Sequence, residues 1–185
     1  MRSIYKCIEL EMNRIDLLED EREKVIRWNL LDAIVDSVNE YSKHLLSFEY
    51  QQKLLKMKEK GVEFIPVKYK ESLVRKWNEL FTSKIDRGKK KHYLYDQYRL
   101  NLFRNNVLDA LEKSKARQAF NQCKKSDVYV FHQWEDEAYR IVNAGKLTSS
   151  DFDKEKEVYV FDTVEKWTYV YSHTGECGPY FYCVD

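Results

Sequence analysis

The sequence has few of the residues that interrupt regular secondary structure. It contains five glycines and two prolines in 185 residues. No two glycines form a Gly-x-Gly pattern, so the glycine-rich loops that cradle phosphate groups in common nucleotide-binding folds are missing from the sequence. Nucleotide binding by those routes is thereby excluded, and we expect no cofactor of that kind.

The sequence also lacks a strong charge of either sign. Lys and Arg number 32 and Asp and Glu number 31, which gives a formal net charge of +1. A chain this close to neutrality has no overall field that attracts nucleic acid or an anionic membrane. Any site for a polyanion would have to be a local patch.

Long hydrophobic runs are missing as well. No apolar stretch approaches the roughly 18 residues that span a bilayer, and the first residues run into dense charge rather than the apolar core of a signal peptide. We therefore expect a cytoplasmic protein with no membrane partner. Its four cysteines, at positions 7, 123, 177 and 183, are expected to be reduced thiols, with a bridge between Cys177 and Cys183 as the alternative.

Large side chains are abundant. Hydrophobic residues make up 43% of the chain and aromatic residues 15%. A chain of this composition can bury enough surface to offset its conformational entropy, which excludes general disorder. We expect a folded protein with a core of its own.

Residues 1–61 are predicted to form a helical arm. Apolar positions recur at helical spacing, and a shift of this stripe near Ser47 predicts a bend or break there. The basic turn before Gly61 marks the end of the arm. The stripe consists of Ile26, Leu30, Ala33, Ile34, Ser37, Val38, Tyr41, Leu45 and Phe48.

Residues 62–185 are predicted to form an α+β domain. Residues 64–67 resemble a short edge strand, because Pro66 removes one backbone donor. A helical pattern follows over residues 69–83, and residues 94–122 support one or two helices. Beyond Ser126 the apolar period changes from 3.6 to 2. The tetrapeptide Val-Tyr-Val-Phe occurs at both 128–131 and 158–161, and each copy begins a predicted hairpin. We expect N-terminal helices packed on an antiparallel sheet of about four strands, with the covered face left open between valine and aromatic side chains.

The segment from residue 173 to 180 is the strongest local candidate for a site. It combines an imidazole, a carboxylate and a thiol with glycines that permit unusual backbone angles. A Cys–His pair is the basis of thiol nucleophiles, but no known nucleophile signature surrounds Cys177, and a Gly-Pro turn with an incidental thiol is the favoured interpretation. His173, Cys177 and Cys183 also lack the spacing of a structural zinc site, so no metal is expected. The predicted binding residues are Trp167, His173, Glu176, Cys177, Pro179 and Tyr180.

A second candidate is the basic, tyrosine-rich segment 84–99. Lysine, arginine and tyrosine alternate there in a way that suits a phosphate backbone and stacked bases. The neutral charge of the chain favours a solvated connection between helices instead. Nucleic-acid binding is therefore the weaker alternative.

The C-terminal pattern resembles a bacterial family, domain of unknown function number 4275, which is common in bacilli. The most specific part is Trp-Thr-Tyr-Val-Tyr-Ser-His-Thr at 167–174 with Gly-Pro-Tyr-Phe at 178–181. Further similarity lies at Ile65 and Pro66, in the helix around Trp77, and in the segments 128–133 and 158–162. The resemblance covers about residues 62–183 and implies a small intracellular bacterial domain. It implies no activity and no catalytic residues.

The sequence thus favours a non-catalytic protein-binding module with a toxin-neutralising or regulatory role. Aromatic side chains suited to interfaces are plentiful, and no complete catalytic signature is present. The alternatives are a small enzyme with a site in the His173–Glu176–Cys177 loop, and nucleic-acid binding through 84–99. The partner is expected to be another protein, and a homodimer through the helical arm is an open possibility.

Overall fold

The computed structural model describes residues 2–86, 88–90, 93, 99–136, 138–153, 155–172 and 177–184. The chain divides into two compact units, residues 1–55 and 56–185. His173 and Glu176, and much of the segment 84–99, lie outside the described residues.

The first unit is a helical hairpin. Helix α1 spans Arg2–Asp16 and helix α2 spans Glu21–Glu59. The Asp20 carboxylate accepts the backbone N–H groups of Arg22 and Glu23, at 2.8 and 3.2 Å, and so caps the start of α2. The arm predicted over residues 1–61 is helical. Of the bend or break predicted near Ser47, the break is wrong, because α2 continues through this position.

A small apolar core joins the two helices of the hairpin. Ile8, Ile15 and Leu31 are buried there, with Trp28 and Val35 packed against them. Tyr5 Oη also donates a hydrogen bond to Asn39 Oδ1 at 3.1 Å. These contacts use the face of α2 that carries residues 28, 31, 35 and 38.

The end of α2 has the geometry of a Schellman motif. Gly61 has φ of +79°, and its N–H donates to the Lys58 carbonyl at 2.8 Å. The N–H of Val62 reaches back to the Met57 carbonyl at 3.1 Å, and both of these side chains are buried in the same cluster. The helix end predicted at Gly61 is confirmed.

The second unit contains a seven-stranded antiparallel sheet with the strand order β1-β4-β3-β5-β6-β7-β2. The strands are β1 (Glu63–Pro66), β2 (Leu111–Glu112), β3 (Val128–His132), β4 (Ala138–Val142), β5 (Val158–Asp162), β6 (Trp167–Tyr171) and β7 (Tyr180–Cys183). The helices are α3 (Lys70–Phe81), α4 (Asn101–Arg104) and α5 (Lys113–Gln122), with 3₁₀ turns at Ala144–Lys146 and Ser149–Phe152.

The α+β class and both predicted hairpins are confirmed, because β3 pairs with β4 and β5 with β6. The estimate of about four strands is an undercount. Strand β1 occupies the predicted edge position, whereas β2 and β7 have no predicted counterpart. Of the one or two helices predicted over 94–122, the described residues contain two, α4 and α5. The helical pattern predicted through residues 107–111 is wrong, because Asn106 turns the chain with φ of +52° and β2 follows.

Helices cover both faces of the sheet. On the valine face, the four valines at 128, 130, 158 and 160 pack beneath α5, whose Phe120 ring lies 4.5 Å from that of Tyr169. On the aromatic face, Phe131, Tyr159 and Phe161 pack against α3, where Trp77 also donates to Thr168 Oγ1 at 2.9 Å. The choice between faces that the sequence posed is therefore resolved: both faces are buried. The covering helices are α3 to α5.

Candidate functional site

Of the predicted loop residues, Cys177, Pro179 and Tyr180 lie in the described part of the chain, just before or at the start of β7. Strand β3 ends at His132, which is in register with Val158 at the start of β5 and, through it, with Tyr171 at the end of β6. Tyr180 is in register with Val170 of β6 and so lies beside this same end of the sheet. Cys177 is partly exposed here and forms no disulfide.

Pro179 and Tyr180 are held by the fold. The Pro179 carbonyl, after a cis Gly178–Pro179 bond, accepts the N–H of Lys113 at 2.8 Å. The Tyr180 ring is buried and stacks on Phe103 at 5.3 Å. Burial is the main cause that raises the pKa of Tyr180, followed by the nearby Cys177. Both residues therefore have structural contacts where a binding role was predicted, and that role stays a prediction.

Trp167 lies at the opposite end of the sheet. It pairs in register with Asp162 of β5. Its ring is buried on the valine face against Phe120, and Nε1 donates to the Lys124 carbonyl at 2.9 Å. The structure does not bring Trp167 together with Cys177 to Tyr180.

A buried His–Glu pair lies at the same end of the sheet as the predicted site. His132 is almost fully buried, and its Nε2 lies 3.0 Å from Glu155 Oε2. Within the described residues its Nδ1 forms no hydrogen bond, and Glu135 Oε2 lies 4.0 Å from it. Such a pair can orient an imidazole for proton transfer.

Two cations lie near the same end, close to Gln133. Arg99 donates to Gln133 Oε1 and to Asn78 Oδ1, both at 3.3 Å. Lys70 donates to the backbone carbonyls of Gln133 and Glu135. Burial lowers the pKa of Arg99 and is also the main cause that lowers the pKa of Lys70.

Sequence reasoning did not select His132, Gln133 or Glu155 as site residues, and it included Arg99 only as the last residue of the basic segment 84–99. His132 is the last position of a predicted strand, and Glu155 lies in an irregular segment. Their proximity depends on the register of β3 with β5, which no local pattern supplies. The one feature of the sequence that could have pointed to this pair was a histidine at the end of an apolar strand.

A cleft of about 680 Å³ borders the described part of the basic segment. Asp86 organises the adjacent turn by accepting the N–H of Gly88 at 2.8 Å. The lining combines apolar side chains with two charges of each sign: Leu80, Phe81, Ile85, Val107, Lys84, Lys89, Asp86 and Asp109. Because the two positive charges are matched by two negative ones, the cleft has no excess positive charge that would attract a polyanion. Nucleic-acid binding through 84–99 stays a prediction.

The described residues provide neither a metal-binding cluster nor an activated thiol at Cys123. No group of three or more His, Cys, Asp or Glu side chains with metal-binding geometry occurs among them. Burial raises the pKa of the Cys123 thiol to about 11, which makes it a poor nucleophile near neutral pH. No helix in the described part of the chain is long and apolar enough to cross a membrane.

The first unit carries the largest set of exposed apolar side chains. Six of them follow one stripe of α2 at intervals of four or seven residues, and each is between 52% and 62% exposed. Leu30, Ile34 and Tyr41 of this stripe line a shallow groove together with Ile4 of α1, Ala33, Ser37 and Val38. The six are Ile26, Leu30, Ile34, Tyr41, Phe48 and Leu55, called here the open stripe.

Comparisons with known proteins identify one relationship. A family model described as domain of unknown function (DUF4275) matches residues 48–181. The match begins within α2, earlier than the predicted start at 62, and ends within β7. No curated protein and no solved structure matches the chain.

Proposed function

The chain belongs to the DUF4275 family of domains of unknown function, and since that membership names no activity, we propose from its surfaces that the protein is a protein-binding module. The binding surface is the open stripe of the helical arm. The partner presents the apolar face of an α-helix. We include in the proposal the bacterial cytoplasmic setting and the regulatory or toxin-neutralising role that the sequence predicts.

The open stripe is the observation that carries this proposal. Large apolar side chains scattered singly over a surface need no explanation, but a contiguous apolar patch commonly marks an interaction site. Here the exposed side chains follow one helix at helical spacing. Apolar groups at such intervals are the anchors by which one helix packs on another.

The composition of the stripe also suits binding. Tyr41 and Phe48 offer large, stiff side chains, which dominate interface energetics. Leu30 and Ile34 add branched aliphatic groups on the adjacent turns. Ala33 and Ser37 have small side chains at the base of the groove, so that a partner helix can approach closely.

A photo-crosslinking experiment tests the proposal. Benzoylphenylalanine replaces Tyr41 in the full chain, and the matched control carries it at Val164, which is 61% exposed in the β5–β6 turn. Irradiation in the host cell should convert the position-41 protein into one discrete adduct and leave the position-164 protein unconverted. No adduct at position 41, or the same adducts at both positions, would contradict the proposal.

A further inference from the structure

Arg99 carries a positive charge that the described residues do not neutralise. It is partly buried between helix α3 and the end of strand β3, and its two hydrogen bonds go to neutral amide oxygens. Asn78 Oδ1 accepts from Nε and Gln133 Oε1 accepts from Nη1, both at 3.3 Å, which is longer than an ordinary N–H···O hydrogen bond. No carboxylate among the described residues forms an ion pair with the guanidinium, and burial lowers its pKa.

The neighbouring cation, Lys70, is balanced instead. Its ammonium donates to two backbone carbonyls at the start of the β3–β4 turn. Burial is the main cause that lowers the pKa of Lys70, and Arg99 contributes in the same direction. Three carboxylates raise this pKa, those of Asp136, Glu71 and Glu135. The acidic side chains at this end of the sheet therefore act on Lys70, and the charge of Arg99 is left unmatched.

The hydroxyl of Tyr159 has a proton without an acceptor. The ring is fully buried, stacked on Phe131 at 4.9 Å and edge-on to Trp77 at 5.4 Å. Its Oη atom forms no hydrogen bond with any residue that the structure describes. The Leu100 N–H is directed at Oη without completing a hydrogen bond, and even a completed one would leave the hydroxyl proton unpaired. Buried donors in this state are rare and costly, so each calls for an explanation.

Arg99 and Tyr159 lie next to each other on the aromatic face. The guanidinium joins Asn78 of α3 to Gln133 at the end of β3, and each of these residues is within two positions of a ring that packs on Tyr159. Burial is the main cause that raises the pKa of Tyr159, and Arg99 is the first charge that lowers it. An unmatched cation and an unaccepted hydroxyl proton therefore meet at one end of the aromatic face.

We propose that Arg99 and Tyr159 bind the carboxylate group of a small-molecule ligand. A guanidinium offers parallel N–H groups that match the two oxygens of a planar carboxylate, and the Tyr159 hydroxyl is the inner donor. The single unmatched charge suits a monoanion, whereas a phosphate dianion would need a second cation. The ligand reaches Arg99 from its exposed side and replaces the long hydrogen bonds to Asn78 and Gln133.

Thermal unfolding of the full chain with added anions tests the site. Sodium acetate is the carboxylate probe, acetamide is an uncharged molecule of the same shape, and sodium chloride matches the ionic strength. Acetate should raise the Tm saturably, by about 4–6 °C at roughly ten times its Kd, and the other two should not. No saturable shift up to about 100 mM acetate, an equal shift with acetamide, or a larger shift with sodium phosphate would overturn the proposal.

Three variants connect the shift to the two residues. Arg99→Gln removes the guanidinium and should weaken acetate binding at least about tenfold. Arg75→Gln is the matched control, because Arg75 is exposed on α3 and the substitution removes the same charge; it should bind acetate as the wild type does. Tyr159→Phe keeps the ring and should weaken binding by about three- to tenfold.

Tyr159→Phe also separates binding from folding. Without ligand its Tm should equal or exceed that of the wild type, because the substitution removes a buried hydroxyl that has no acceptor. A Tyr159→Phe variant that binds acetate with unchanged affinity would overturn the two-donor site, as would equal losses in Arg99→Gln and Arg75→Gln. The site is independent of the open stripe, so its failure leaves the proposed function to the photo-crosslinking test at Tyr41.

Discussion

At the scale of single residues, Asp162 shows how one buried carboxylate fixes two chain segments. Its side chain is fully buried at the end of β5. Oδ2 accepts the N–H groups of Ser126 and Asp127, which lead into β3, and Oδ1 accepts those of Val164 and Glu165 in the β5–β6 turn, at 2.8 and 2.9 Å. The carboxylate thus satisfies four backbone donors that would otherwise lack partners at this end of the sheet.

Replacing Asp162 with Asn is therefore expected to destabilise the second unit. The amide has one oxygen and one NH₂ group, so two of the four backbone N–H groups would face a donor. The expected loss in the free energy of unfolding is about 2–4 kcal/mol, measured by urea denaturation followed by near-ultraviolet circular dichroism. Asp136→Asn in the exposed β3–β4 turn is the control and should cost less than about 0.5 kcal/mol. Equal effects of the two substitutions would contradict this account of Asp162.

The sequence identified the position of Asp162 but not its role. The residue pattern predicted a strand that ends at residue 162, because Val158 to Phe161 have the β-branched and aromatic character of buried strands. This strand end is confirmed. The hydrogen bonds to Ser126 and Asp127 depend on the pairing of β5 with β3. The same dependence on register hid the contact between His132 and Glu155. Contacts across strands that are distant in sequence cannot be deduced from local periodicity.

At the scale of secondary-structure elements, the end of α2 depends on one glycine. Gly61 adopts φ of +79°, a conformation that costs L-residues with a Cβ atom about 1 kcal/mol. The backbone turn it makes directs Val62 into the core beside Met57 and places β1 at the sheet edge. Asn143 Nδ2 donates to the Gly61 carbonyl at 3.1 Å and holds this turn against the end of β4.

Gly61→Ala is expected to lower the free energy of unfolding of the second unit by about 1 kcal/mol. The cause is the backbone strain, since a Cβ atom at this position would meet only the Lys146 Nζ atom, at 3.6 Å. Gly145→Ala is a matched control: its φ is not positive and a Cβ atom there would meet no heavy atom within 4 Å. Urea denaturation should show it to be neutral or slightly stabilising, and a loss as large as that of Gly61→Ala would refute the argument.

The sequence predicted those elements in which apolar residues recur with a clear helical or strand period. Helix α3 and the two hairpins meet that condition. Strand β2 has two residues, too few to show any period, and it exists because Leu111 and Glu112 pair with Phe181 and Tyr180 of β7. Strand β7 follows directly on a Gly-Pro turn that the sequence treats as part of a loop. Both strands are specified by their neighbours rather than by their own residues.

At the scale of the whole molecule, the two compact units differ in how much core each one has. Among the described residues, the hairpin of α1 and α2 buries three apolar side chains in its cluster. The two faces of the sheet bury 15 and 13. The sequence set a boundary at the end of the arm, after residue 61, whereas the compact units divide after residue 55, because Met57 and Val62 belong to the core of the sheet.

This difference predicts two classes of backbone amide in hydrogen exchange. Amides of the central strands β3, β5 and β6 should exchange through global unfolding, whereas those of α1 should open locally and exchange at least about a hundredfold faster. Exchange of arm and sheet at one common rate, with the same dependence on denaturant, would show that the chain unfolds as a single cooperative unit and would contradict the prediction.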